Sequence, residues 1–180
     1  MACETSIKEK LGLVQVYTGN GKGKTTAALG LSFRAAGRGL RVAMVQFMKP
    51  EEGYGEQVSA GSLENFEIYP MGMSPLVGRE PAPEDIRAAE EALSKARELM
   101  YSGCYDLIVM DEVNVAMGWG ILRTEDVLEM LGGRPENVEV VLTGRYAPDK
   151  VIEYADLVTE MVCVKHPFDK GIGARKGIES

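Results

Sequence analysis

The segment of this chain that most restricts its fold is a glycine-rich stretch at residues 18–26, TGNGKGKTT. It follows the apolar run LVQVY at residues 13–17 and precedes an alanine- and leucine-rich stretch with helical periodicity at residues 25–36. A buried strand, a glycine-rich turn and a helix in direct succession are typical of phosphate-binding α/β proteins. The segment therefore predicts an α/β fold whose ligands bind outside the carboxyl ends of the strands.

Strand and helix patterns alternate along the rest of the chain. Apolar runs predict strands buried on both faces at residues 13–17, 41–47, 105–110 and 139–142, and weaker strands at residues 66–69 and 157–164. Helical spacing predicts helices at residues 25–36, 83–102, 124–131 and 148–154, the third with Thr124 as its N-cap. The alternation predicts a P-loop NTPase-like fold with a mostly parallel central sheet flanked by helices.

The length of 180 residues predicts a single domain, at about 150 residues per domain. We place this domain at residues 12–180, after a short N-terminal arm at residues 1–11. Residues 48–82, which proline, glycine and polar residues interrupt, predict a long loop with a functional role. Residues 165–180 form a C-terminal tail, whose cluster of basic side chains fits a cover over the ligand and equally a solvated segment.

Charge and cysteine content exclude several classes of protein. With 27 acidic against 20 basic residues the net charge is −7, which disfavours broad nucleic-acid binding because that depends on a positive surface. The sequence has no signal-peptide pattern and no apolar stretch long enough to span a membrane, so we expect neither secretion nor a membrane partner. Cys3, Cys104 and Cys163 fit neither a disulfide framework nor a zinc site, and reduced thiols predict a cytoplasmic protein.

The glycine-rich stretch matches the P-loop pattern at every position but the first, where Thr18 stands in place of glycine. Glycines allow backbone N–H groups to turn inward around a triphosphate, while Lys24 reaches the terminal phosphates and the Thr25 hydroxyl binds Mg²⁺. The alternatives are a tight turn with incidental lysines and a dinucleotide-binding turn, whose glycine spacing differs. The predicted nucleotide site consists of Thr18, Gly19, Asn20, Gly21, Lys22, Gly23, Lys24, Thr25 and Thr26.

Two acidic residues are candidates for the metal. Asp111 and Glu112 directly follow the apolar run at residues 105–110, which is the layout of a Walker B strand that brings a carboxylate to the metal. Taken alone, such residues are more often a solvated strand end. Beside a phosphate loop, they predict that Thr25 and at least one of the two carboxylates bind Mg²⁺ or Mn²⁺.

Short motifs flank these two sites in a fixed order. They are TGNGKGKTTAALG at residues 18–30, QFMK at 46–49, GYGE at 53–56, DEVN at 111–114, LTGR at 142–145, ADLVTEM at 155–161, KHPF at 165–168 and KGIE at 176–179. The series resembles the ATP:corrinoid (cob(I)alamin) adenosyltransferase family of P-loop type over nearly the whole chain. The resemblance implies a homodimer that moves the 5′-deoxyadenosyl group of ATP to the Co(I) of a reduced corrinoid and releases triphosphate, with an electron-donor protein as partner.

The implied reaction needs no protein nucleophile or general base, because Co(I) itself attacks the 5′ carbon of the ribose. This agrees with a chain that has one histidine, His166, and no evident Ser–His or Cys–His pair. By the same resemblance Glu112, rather than Asp111, contacts Mg²⁺. Arg145 would contact phosphate or ribose and stabilise the leaving group together with Lys24, the alternative being a surface arginine in a turn.

One segment departs from the family. Family members commonly carry an aromatic pair in a Gly-Phe-Thr-Trp-like segment, whereas residues 71–78 here are MGMSPLVG. Either Leu76 and Val77 replace the aromatic contacts or another part of the chain does, and Trp119, the single tryptophan, is either such a contact or a packing residue. Two other functions therefore stay open: a P-loop kinase or ATPase cleaving at the γ-phosphate, and a nucleotide-dependent corrinoid carrier or regulator without turnover.

Overall fold

A computed structural model describes residues 8, 10–51, 53–73 and 80–179 of the chain. The strands are β1 (Val14–Thr18), β2 (Val42–Gln46), β3 (Phe66–Pro70), β4 (Leu107–Asp111), β5 (Glu139–Thr143) and β6 (Leu157–Glu160). The helices are α1 (Lys24–Ala36), α2 (Gly55–Ala60), α3 (Pro83–Tyr101), α4 (Val113–Gly118), α5 (Thr124–Gly132) and α6 (Asp149–Tyr154), followed by a 3₁₀ helix at Pro167–Lys170. The predicted alternation of strands and helices is therefore confirmed.

The strands of the described residues form one sheet in the order β3-β2-β4-β5-β1-β6, and each neighbouring pair is parallel. The register places Gln46 of β2 opposite Asp111 of β4, and Tyr17 of β1 opposite Thr143 of β5. The carboxyl ends of these four strands therefore lie side by side at one edge. The predicted α/β fold with a parallel central sheet and flanking helices is confirmed.

Apolar side chains cover both faces of the sheet. One layer packs strand residues such as Val45, Ile108 and Val140 against α3 and α5, and the other packs residues such as Met44 and Val109 against α1. In β2, β4 and β5 every residue is buried, as expected for strands in the middle of a parallel sheet. These central strands hold the loops at the carboxyl edge in fixed positions.

Three predictions for individual elements need correction. Arg123, not Thr124, is the N-cap residue of α5, and Thr124 is the first helical residue. Strand β6 ends at Glu160, earlier than predicted, and all its residues are exposed. It ends there because the chain then crosses the glycine-rich loop, where the Met161 N–H donates to the Thr18 carbonyl. Residues 48–82 contain α2 as well as β3, so this stretch is not one irregular loop.

Some predictions fall on residues outside the described part of the chain. These are the arm at residues 1–7, Cys3, and the segment with Leu76 and Val77. Within the described part, Cys104 and Cys163 are exposed free thiols. No helix there combines the length and apolar character that crossing a membrane requires.

The start of β1 is fixed by a buried carboxylate at the start of β5. Glu139 accepts hydrogen bonds through Oε2 from the Gly12 and Leu13 N–H groups, at 2.9 and 2.8 Å. Its Oε1 accepts from Gln15 Nε2 at 2.7 Å. Because β1 leads directly into the glycine-rich loop, these bonds set the position of that loop relative to β5.

We expect Glu139→Ala to lower the free energy of unfolding by about 3 kcal/mol, because two backbone N–H groups lose a charged acceptor. Urea unfolding followed by circular dichroism measures this loss. Glu98→Ala is the matched control, since the Glu98 side chain is 67% exposed and pairs with Lys95 on the surface. The control should change stability by less than about 1 kcal/mol. Equal losses in the two variants would contradict the assigned role.

Candidate nucleotide-binding site

The glycine-rich loop between β1 and α1 has a backbone that only glycine adopts easily. Gly19 and Gly23 have φ angles of 92° and 123°. The N–H groups of Gly23, Lys24 and Thr25 have no acceptor among the described residues, as expected at the first turn of a helix. Helix α1 has 13 residues, and unpaired N–H groups at its N-terminus, next to a glycine-rich turn, suit a phosphate group.

One side of this loop packs closely on the chain that follows β6. A Cβ at Gly19 or Gly21 would lie 2.5 or 2.8 Å from the Met161 carbonyl oxygen. The Gly21 N–H donates to that oxygen at 2.6 Å. The glycines are therefore needed for this contact as well as for the turn, and the Gly21 N–H is not available to a ligand.

Lys24 is the buried cation of the loop. Its side chain is only 8% exposed, and Nζ donates to the carbonyl oxygens of Gly19 and Gly21, both at 2.8 Å. Burial lowers the pKa of Lys24, with a further lowering by Arg145, while the carboxylates of Glu112 and Asp111 act in the opposite direction. The ammonium group thus lies within the curve of the loop, where a phosphate would meet it.

Asp111, at the end of β4, is the most extensively bonded carboxylate at this edge. Its Oδ1 accepts from the hydroxyls of Thr25 at 2.8 Å and Thr143 at 2.7 Å. Its Oδ2 lies 3.1 Å from Lys49 Nζ and 3.4 Å from Gln46 Nε2. Because the Thr25 hydroxyl donates its hydrogen bond to Asp111, the lone pairs of that hydroxyl remain for a cation.

Glu112 differs from its neighbour in having a half-buried carboxylate with no hydrogen bond or ion pair among the described residues. Its backbone adopts a left-handed conformation with φ 64°, and its N–H donates to Thr143 Oγ1 at 3.0 Å. Burial raises the pKa of Glu112, and the charge of Asp111 raises it further, against the lowering by Lys49, Lys24 and Arg145. An unpaired carboxylate in this position fits a bound cation.

The donor set fits Mg²⁺ that is shared with a phosphate ligand. Among the described residues no three His, Cys, Asp or Glu side chains cluster to hold a metal without help. Mg²⁺ bound to nucleotides typically takes only one or two protein oxygens in addition to phosphate oxygens and water. The Thr25 hydroxyl and the Glu112 carboxylate could supply these two oxygens.

A second cation was missed by the sequence analysis. Lys49, which follows β2, has a side chain that is 13% exposed and pairs with Glu56 of α2 at 2.9 Å as well as with Asp111. Burial lowers the pKa of Lys49, but Asp111 and Glu56 more than offset this, so the pKa lies above its ordinary value. Lys49 and its partner Glu56 end the motifs QFMK and GYGE, and neither motif by itself indicates a role for these side chains.

Arg145 lies in the loop after β5, and this loop contacts Thr18 at the start of the glycine-rich loop. Arg145 follows β5 and is exposed, with no hydrogen bond or ion pair among the described residues. Two residues further, the Ala147 N–H donates to Thr18 Oγ1 at 3.4 Å. A glycine at position 18 would lack this acceptor, which gives a structural reason for the departure from the P-loop pattern.

Not every predicted site residue lies in the phosphate cradle, our name for the curve of the glycine-rich loop around the Lys24 ammonium. The Lys22 ammonium turns to the C-terminal tail, where it pairs with Glu179 at 2.9 Å and donates to the Ile178 carbonyl at 3.2 Å. Asn20 and Thr26 are exposed and make no side-chain hydrogen bond among the described residues. The structure thus brings together Lys24, Thr25, Asp111 and Glu112, with Arg145 beside them.

Comparison with known proteins identifies a family. The sequence model of a family described as ATP:corrinoid adenosyltransferase BtuR/CobO/CobP matches residues 10–180. A corrinoid adenosyltransferase of Pseudomonas aeruginosa is 39% identical over 173 residues, which cover 96% of this chain and 85% of that protein. Proteins of the same name from Sinorhizobium sp. and Escherichia coli K12 are 37% and 35% identical, covering 99% and 96% of this chain and 84% and 87% of theirs.

A solved crystal structure gives a weaker likeness. The structure of a DNA replication initiation factor superposes with a TM-score of 0.44 at 16% identity. The match covers 89% of this chain and 44% of that protein.

We expect Glu112→Gln to raise the melting temperature at about pH 7.5. A raised pKa means that the folded state disfavours the ionised carboxylate, so an uncharged amide removes a cost. As the pH falls and Glu112 takes up its proton, wild type regains this stability and the difference between the proteins shrinks. Thermal unfolding at a series of pH values down to about 5 measures the effect.

Glu125→Gln is the control for that series. Glu125 is a surface carboxylate paired with Lys150 at 2.7 Å, and this pair lowers the pKa of Glu125. The substitution should therefore bring no gain in melting temperature at pH 7.5. A Glu112→Gln protein that melts at or below the wild-type temperature would refute an unpaired, disfavoured charge at residue 112.

Proposed function

Because this chain belongs to the ATP:corrinoid adenosyltransferase family and is an enzyme of that family, we propose that it transfers the 5′-deoxyadenosyl group of ATP to the Co(I) of a reduced corrinoid. In this reaction Co(I) donates an electron pair to the 5′ carbon of the ribose, and a Co–C bond forms. The C5′–O bond breaks, and its electron pair leaves with triphosphate.

The observation that carries the proposal is a set of positive groups around the loop to which no carboxylate is bonded among the described residues. A phosphate chain bound in the loop would meet the Lys24 ammonium and the N–H groups of Gly23 and Thr25, which have no acceptor among the described residues. Charge develops on the triphosphate as the C5′–O bond breaks, so preorganised donors stabilise the transition state. Arg145 adds a cation beside this cradle that has no hydrogen bond or ion pair within the described part of the chain.

The residues that would hold Mg²⁺, or Mn²⁺ in its place, are Thr25 and Glu112. Asp111 supports them indirectly, because its Oδ1 accepts a hydrogen bond from the Thr25 hydroxyl at 2.8 Å and thereby orients that hydroxyl. When bound, the ion neutralises charge on the triphosphate oxygens. The protein's own part is to fix the triphosphate so that the 5′ carbon is open to in-line attack.

The proposal extends to the setting of the enzyme. From the family we propose that the enzyme is a homodimer and that an electron-donor protein reduces the corrinoid to Co(I). From the composition we propose that it is located in the cytoplasm. Residues 12–180 are proposed to act as one domain, which the Lys22–Glu179 pair between the glycine-rich loop and the tail supports. Sedimentation equilibrium tests the dimer.

An anaerobic assay with Mg-ATP and chemically reduced cobalamin tests the reaction. We expect the absorbance spectrum of an adenosylcorrinoid and one triphosphate per corrinoid converted. Release of ADP and phosphate would instead show cleavage at the γ-phosphate. Binding of both substrates without any product would favour a carrier and overturn the proposed turnover.

The two lysines of the loop provide a matched pair of variants for this assay. We expect Lys24→Ala to reduce kcat/KM by about 100-fold or more, because it removes a buried donor to the leaving group. Lys22→Ala should reduce kcat/KM by less than about threefold, because the Lys22 ammonium is part of a half-exposed surface ion pair with Glu179. Equal losses would contradict the position that we assign to the triphosphate.

A further inference from the structure

Two aromatic side chains are exposed at the carboxyl edge of the sheet, outside the cradle. Tyr146 is 53% exposed and Trp119 is 43% exposed. Neither the Tyr146 hydroxyl nor the Trp119 indole N–H has a hydrogen-bond partner among the described residues. Trp119 is the single tryptophan of the chain, and its exposure excludes the role of a core packing residue.

Tyr146 lies on a loop that is tied to the nucleotide site on both sides. On one side, a Cβ at Gly144 would lie 3.2 Å from Glu112 Oε2 and 3.1 Å from the Asn114 Cβ. On the other, the Ala147 N–H donates to Thr18 Oγ1 at 3.4 Å. The loop therefore holds Tyr146 between the carboxylate of the site and the beginning of the glycine-rich loop.

Trp119 reaches the same place from a different element. Helix α4 begins directly after Glu112 and ends at Gly118, so Trp119 follows at its end. A Cβ at Gly118 would lie 2.5 Å from the Tyr146 Cβ and 2.8 Å from the Tyr146 carbonyl oxygen. The backbone next to Trp119 is thus in direct contact with Tyr146, so the two residues lie close to each other.

The conformation of Tyr146 is costly for a tyrosine. Its φ angle is 63°, in the left-handed region that glycine and asparagine adopt readily and bulky residues rarely do. A side chain that is half exposed and makes no hydrogen bond offsets little of this cost within the chain. Strained residues of this kind are found where a side chain must face a ligand.

We propose that Tyr146 and Trp119 form an aromatic surface that contacts the flat conjugated face of the corrinoid; this inference rests on the proposed function. Aromatic rings favour offset stacking on other flat conjugated systems. The corrinoid is the larger of the two substrates and cannot enter a cradle in which Lys24 is 8% and Asp111 0% exposed. It has to approach from the rim, and these two side chains are exposed there.

Tyr146→Asn is the variant that separates binding from folding. Asparagine removes the ring but suits the left-handed backbone, so we expect a melting temperature equal to or above that of wild type. In the anaerobic assay the KM for cobalamin should rise about three- to tenfold, and the KM for ATP should stay unchanged. Phe33→Ala is the control, because Phe33 is an aromatic residue of α1 that is 68% exposed and lies outside these loops.

Trp119 supplies a second readout that does not depend on turnover. Titration with hydroxocobalamin, corrected for absorbance with free N-acetyltryptophanamide, should quench the fluorescence of this single tryptophan. The dissociation constant should be weaker in Tyr146→Asn than in wild type by the same three- to tenfold factor. Both constants should be unchanged in Phe33→Ala.

The outcomes distinguish this inference from the proposed function. If wild type forms adenosylcobalamin but Tyr146→Asn leaves its KM and dissociation constant for cobalamin unchanged, the aromatic surface is refuted and the reaction stands. A raised KM for ATP alone would place the ring against adenine and equally refute the inference. If wild type forms no adenosylcobalamin, the proposed reaction fails, and the fluorescence titration still decides whether Tyr146 contacts the corrinoid.

Discussion

The buried carboxylate of Asp111 is the interaction on which the rest of the site depends. A charge with 0% exposure is stable only where it is paired and hydrogen-bonded, and Asp111 meets this condition through Thr25, Thr143, Lys49 and Gln46. These partners come from the first turn of α1, the end of β5, the segment after β2 and the end of β2 itself. One side chain therefore fixes the relative positions of four parts of the chain, and a loss of Lys49 would leave its charge in the core without the paired cation.

The nearby donors bond to the Asp111 carboxylate, and the Glu112 carboxylate has no partner among the described residues. Both oxygens of the Asp111 carboxylate are engaged by Thr25, Thr143, Gln46 and Lys49, and Lys49 also pairs with Glu56. Glu112 turns out of the strand through its left-handed backbone, so two adjacent carboxylates occupy different environments. The cations divide in the same way: Lys49 balances the buried carboxylate, whereas Lys24 and Arg145 have no carboxylate bonded to them among the described residues.

The sequence was sufficient for the features that depend on local pattern. The central strands are mostly apolar and buried, and they were predicted to within about two residues at each end, as was the helix after the glycine-rich loop. Strand β6 was predicted too long because Val162 and Val164 are apolar, yet they are 70% and 91% exposed in a segment that crosses the loop. The Lys49–Asp111 pair joins the segment after β2 to the end of β4, and the direction of the Lys22 side chain depends on Glu179 at the far end of the chain. No local pattern contains such information. The roles assigned to the site residues remain predictions.

The acidic composition and the phosphate cradle are compatible because they act over different distances. At physiological salt the potential of surface charges decays over about 8 Å, so a net charge of −7 spread over the surface contributes little inside the cradle. There the balance is set by groups in contact: a buried ammonium, free backbone N–H groups and one unpaired carboxylate that suits a cation. A short triphosphate can satisfy all of these at once, whereas a long polyanion would also meet the acidic surface around them. The proposed nucleotide site is thus compatible with the prediction that the chain does not bind nucleic acid, since local geometry and not net charge determines which anion fits.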